Sequence, residues 1–226
     1  MYKSSSSELI FEFAFSGLRC RWYQLELPKV IRTQGHLTKK QFVRLVEWKL
    51  KRGKFRPALL GYARNQEESA VVDVTSRAWE SIKPYAKAEE GNSESASHRS
   101  VPETAIDEAL GILTSLKGVG PATASAILAS MHKSIPFMSD EALMVTLGKR
   151  EYTLKAYKKL VKALRATRRK LCSEREEKGL ENGMLADRSH WTVGDVEMCI
   201  FASYNAGERK GNLQQEKKTR KRKGAG

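Results

Sequence analysis

Apolar residues recur at helical spacing along most of this chain, and the polar residues between them include the types that start and stop helices. The clearest start is Thr38-x-x-Gln41, which has the form of a capping box, with Leu37 before it and Phe42 after it able to meet as a hydrophobic staple. Phe42, Leu45, Val46 and Leu50 then fall on one face and Lys39, Lys40, Arg44 and Lys49 elsewhere, which predicts a helix ending near Gly53. Two shorter helices separated by Asn65-Gln66-Glu67-Glu68 account for the apolar positions of 58–86. Two more, 105–116 and 121–131, flank a glycine-rich turn, and Ser100-x-x-Glu103 with Pro102 offers a cap for the first of them. A short helix from Asp140 through Leu147 stops at Gly148, a long basic one follows from 152 to about 171, and Trp191-Thr192-x-x-Asp195 opens a last amphipathic helix through Tyr204. Phe11, Phe13 and Phe15 alternate at strand period, either as one short strand or as an apolar segment laid across a helical core. The fold class expected is all-α: a lead at 1–8 without structure, one helical domain over 9–206, and a disordered basic tail over 207–226. Within the domain, 87–100 reads as a mobile insertion and 173–190 as a loop, since neither has apolar periodicity.

The turn between the paired helices reads Leu116-Lys117-Gly118-Val119-Gly120-Pro121-Ala122-Thr123-Ala124. Two glycines let the backbone reverse tightly, and Pro121 at the first helical position has no amide that needs a partner. The second helix then begins with unpaired amides where no side chain blocks approach, a geometry that favours a phosphate. Lys117, Gly118, Val119, Gly120 and Thr123 are the candidate phosphate-binding residues.

This Leu-x-Gly-Val-Gly-Pro-x-Thr-Ala turn, followed by Ser125-Ala126-Ile127-Leu128, resembles the hairpin of the helix-hairpin-helix DNA glycosylase superfamily. Asp140 stands 20 positions past Gly120, after an apolar segment and at the start of the next helix, where that family places an aspartate that supports cleavage of the N-glycosidic bond. The resemblance implies Asp140 as the catalytic residue. An aspartate beside a helix start is equally a common N-cap, and its position alone does not separate the two roles. Bifunctional members carry a lysine two positions after the second glycine, and this chain has Ala122 there. What the resemblance implies is therefore a monofunctional enzyme with water as nucleophile and no lyase activity. The alternative is a DNA-binding or scaffold module of the same fold without catalysis. An acid assisting base departure would come from Glu141, Glu47 or Asp73. The family's segment that enters DNA beside the extruded base corresponds in position to Lys51-Arg52-Gly53-Lys54-Phe55-Arg56, whose Lys51, Arg52, Lys54 and Arg56 are possible DNA contacts or a solvated helix end.

Charge sharpens this picture. The 226 residues hold 41 Lys and Arg against 26 Asp and Glu, a net +15 that points to a polyanionic partner, double-stranded DNA by the hairpin's implication. Arg19, Arg21, Lys29 and Arg32 are interleaved with Trp22 and Tyr23, a mix that either stacks bases or plugs a core. The basic face of the long helix either lies along DNA or is solvated. Lys217 to Lys223 resembles a nuclear import signal, which implies an import receptor as partner and a nuclear location. No apolar run is long enough to span a bilayer. Cys20, Cys172 and Cys199 are too few and too scattered for an iron–sulfur cluster, and neither metal nor cofactor is expected.

Overall fold

In the computed structural model, residues 21–53, 56–86, 100–177 and 191–207 are described. The strand-like run at 11–15, the insertion at 87–99, most of the loop at 173–190 and the basic tail beyond 207 lie outside them, as do Cys20 and Lys54. All regular structure among the described residues is helical. A π-helical turn, Trp22–Glu26, leads into α1 (Leu27–Gln34); then come α2 (Lys39–Arg52), α3 (Pro57–Arg64), α4 (Glu68–Ala86), α5 (Glu103–Leu113), α6 (Pro121–Met131), α7 (Asp140–Leu147) and α8 (Leu154–Glu177). A last helix, α9, covers 193–207.

Helix α6 is the hub, packing against α1, α2, α4, α5 and α8. Its composition explains this. Alanine and serine leave room for neighbouring backbones on every side, and all but Pro121 and Ala129 of its residues are buried. The buried serines bond back to the helix, Ser125 to Ala122 O and Ser130 to Ile127 O, so their hydroxyls are satisfied inside the core. Around this hub, apolar side chains from Trp22 to Val196 form one cluster.

Several boundaries follow the sequence pattern. The Thr38–Gln41 capping box is present in both directions, and α2 stops at Gly53. Thr192 and Asp195 bond reciprocally at the start of α9. Others differ. Ser100 does not cap α5; the N-cap is Pro102, with no side-chain bond, and the helix ends at Leu113 rather than 116 because the turn tightens there. Helix α8 runs on to Glu177, so 173–177 is helical rather than loop, in keeping with the good helix propensity of its Arg, Lys, Leu and Glu residues.

Candidate nucleic-acid interface and cleft

The hairpin is built from short local bonds. The amides of Thr114, Ser115, Leu116 and Val119 reach the carbonyls of Leu110, Ile112, Leu113 and Leu116. Gly118 has φ +81, and a Cβ placed there would lie 2.7 Å from Tyr62 Cβ, so both conformation and space require glycine. Gln66 donates to the Lys117 carbonyl at 2.8 Å, and the Lys117 ammonium lies 5.5 Å from the Tyr62 ring, fixing the turn against α3. Gly120 is extended, and a Cβ there would meet nothing within 4 Å. Among the described residues, the amides of Gly118, Gly120 and Ala122 have no hydrogen-bond partner.

Two of the candidate phosphate-binding residues are not available in this arrangement. The Val119 amide is bonded to Leu116 O and its side chain is buried, while Thr123 is 4% exposed with its amide on Gly120 O. Lys117, Gly118 and Gly120 remain exposed. Among the described residues the amide of Ala122 also lacks a partner, but that residue is buried.

Past α6 the chain runs without helix through Pro136–Ser139, held by Tyr157 donating to Pro136 O at 2.9 Å and by Met138 N donating to Ser125 Oγ at 3.0 Å. That pinning makes Ser139 the N-cap of α7, its Oγ accepting from Ala142 N. Asp140 is therefore the first helical residue and not the cap, and its carboxylate is left for other partners. Tyr152 donates to Oδ1 at 2.7 Å, and Arg150 Nε lies 3.9 Å from Oδ2. The Asp140 side chain is 17% exposed. Burial, and then the bond to Asp140, raise the Tyr152 pKa, so the phenol stays a donor at neutral pH.

A cleft opens beside Asp140. Its walls come from the end of α2 and the turn into α3 (Lys49, Gly53, Arg56), from Ala122 at the start of α6, and from Asp140, Glu141 and Tyr152. Gly53 sits so close that a Cβ on it would be 3.4 Å from Asp140 Oδ2. Arg56 rides 5.0 Å over the Tyr152 ring. Lys49 is partly buried, and burial lowers its pKa, with Arg56 lowering it further and Asp140 acting in the opposite direction. The cleft holds about 350 Å³ of empty space including its open mouth, and little of it is roomy enough for a water molecule. Ala122, the position at which the resemblance contrasts alanine with lysine, thus shares a wall with Asp140.

Of the basic segment at the end of α2, Lys51 and Arg56 are exposed. Arg52 is not a DNA contact in this structure. It forms an ion pair with Glu197 of α9 at 2.7 Å, with side chains 7% and 4% exposed, and its guanidinium lies 3.9 Å from the Phe201 ring and 5.1 Å from Phe137. Glu197 also accepts from the Ser139 hydroxyl, which ties α9 to the cap of the helix that begins with Asp140. The Trp22 and Tyr23 stretch resolves to the core: Tyr23 stacks on Trp48 at 3.5 Å between centroids and donates to Ala126 O. Sequence reasoning missed Tyr152, Lys49 and Glu197. Only Tyr152 had a signal, a tyrosine just past the α7 stop.

Among the described residues no group of three or more His, Cys, Asp or Glu is placed to hold a metal ion, and no helix is long and apolar enough to cross a membrane. No family model, curated protein or solved structure matches the chain.

Proposed function

We propose that this protein binds duplex DNA through the 114–120 hairpin and releases a base by hydrolysis, as a monofunctional N-glycosylase without lyase activity. The observation that carries this reading is the freed carboxylate of Asp140: Ser139 does the capping, and Tyr152 holds the aspartate at a cleft shared with the start of α6. In the reaction, Asp140 stabilises positive charge developing on the deoxyribose and takes the proton of the attacking water. The exposed amides of Gly118 and Gly120, with Lys117, bind the phosphate of the same strand. Ala122 has no amine, so no Schiff base to the sugar forms there. The basic segment Lys217 to Lys223 fits nuclear import of such a protein.

A panel of duplexes, each bearing one damaged or mispaired base, tests this. Release of a base leaves an abasic site that breaks on alkali treatment and not before. Strand breakage without alkali overturns the monofunctional assignment, and an intact panel overturns the enzyme. A second reading, a DNA-binding protein of this fold without catalysis, draws on the small size of the cleft, which has no room for a base until its walls part. Salt-dependent duplex binding with an intact panel is the outcome that would select it.

A further inference from the structure

One buried acid of the cleft stands next to Asp140 in the chain. Glu141 follows Asp140 in the first turn of α7, lines the same cleft and is 7% exposed, and its Oε2 has no hydrogen-bond partner. The charged groups facing it are Arg52 from α2, Glu197 from α9 and Asp140 beside it. Arg52 is paired through Nη2 with Glu197 at 2.7 Å and its Nε has no partner, while Glu141 itself forms no ion pair among the described residues, so an ionised Glu141 would be a buried anion with no salt bridge. Burial accordingly raises its pKa, reinforced by Glu197 and Asp140 and opposed by its own main-chain amide and Arg52. The other acids that could serve are spent elsewhere. Glu47 pairs with Arg64 at 3.2 Å and Asp73 with Arg77 at 3.6 Å, both on exposed surface.

We propose that Glu141 is the acid of the reaction, standing protonated in the cleft and passing its proton to the departing base. This rests on the base-release reading above. As the bond from the sugar's anomeric carbon to the base nitrogen breaks, its electron pair leaves with the base, and the Glu141 proton goes to a ring nitrogen or carbonyl oxygen of that base. Water adds to the anomeric carbon and gives its proton to Asp140, which returns it through solvent to Glu141. One water is consumed per base released. The substrates that need such an acid are uncharged bases, since a base already cationic leaves without protonation.

The test compares the full-length protein with Glu141→Gln, which has the shape of a neutral carboxyl and folds without a new cavity. Base release on any duplex the wild type acts upon is followed from about pH 5 to about pH 9, together with thermal unfolding. The wild-type rate is expected to fall as pH rises through the raised Glu141 pKa, and the Gln variant to be slower by roughly 100-fold at the acidic end and to lack that fall. Unfolding reports the proton independently of activity. Between the ordinary carboxylate range and the raised value, the folded state holds a proton the unfolded chain has lost, so wild-type stability declines with rising pH while the Gln variant declines less. A pH limb that survives in Gln overturns the acid role and leaves base release standing. A wild type that releases nothing overturns the parent reading and the acid role with it, and stability curves that run parallel overturn the protonated state whatever the activity.

Discussion

Tyr152 and the two hairpin glycines are where single atoms decide the outcome. Removing the Tyr152 hydroxyl leaves Asp140 without the 2.7 Å bond that orients it, so Tyr152→Phe should slow base release by roughly tenfold while costing only about 1 kcal/mol of stability in a denaturant titration. The glycines should separate folding from binding. Gly118→Ala meets Tyr62 at 2.7 Å with φ at +81 and should destabilise by roughly 1–3 kcal/mol. Gly120→Leu meets open space in an extended conformation and should leave stability near wild type while weakening duplex binding, because its side chain then covers the amides. Affinity unchanged in Gly120→Leu would refute a backbone phosphate site. These positions were readable because glycine and proline act within a few residues. Asp140 was not fully readable: Ser139 and Asp140 are both good caps, and long-range bonds such as that from Met138 to Ser125, thirteen residues earlier, hold the segment in which Ser139 caps.

Between elements, the contact that matters most is the one α9 makes with the ends of α2 and α7. Arg52, Glu197 and Ser139 bring three separated parts of the chain together behind the cleft. Glu197→Ala leaves the Arg52 guanidinium buried without its anion and should cost roughly 3–5 kcal/mol by equilibrium unfolding, whereas Arg64→Ala, at an exposed pair, should cost less than about 1 kcal/mol. Helix starts and stops were legible from caps and periodicity, as Thr38, Gly53, Pro121, Gly148 and Thr192 show. The burial of Arg52 was not, because its partner lies 145 residues away and nothing in Lys51-Arg52-Gly53 distinguishes an arginine facing solvent from one facing α9.

For the molecule as a whole, a net charge of +15 makes the proposed association with DNA sensitive to salt. Each phosphate neutralised contributes about 0.9 to the slope of log affinity against log salt, so binding should weaken steeply with ionic strength, and a chain ending at residue 207 should show a shallower slope. An affinity indifferent to salt would contradict a polyanionic partner. Charge and the hairpin raise the expectation of such a partner from the sequence alone, whereas the cleft itself required three dimensions, since the end of α2, the start of α6 and the start of α7 meet only in the fold. The most direct measurement of the central claim is base release by Asp140→Asn beside the wild type on the same lesion-bearing duplexes, with duplex affinity measured in parallel. Loss of release by at least about 100-fold at unchanged affinity is the predicted result; a variant that releases the base as fast as the wild type contradicts it.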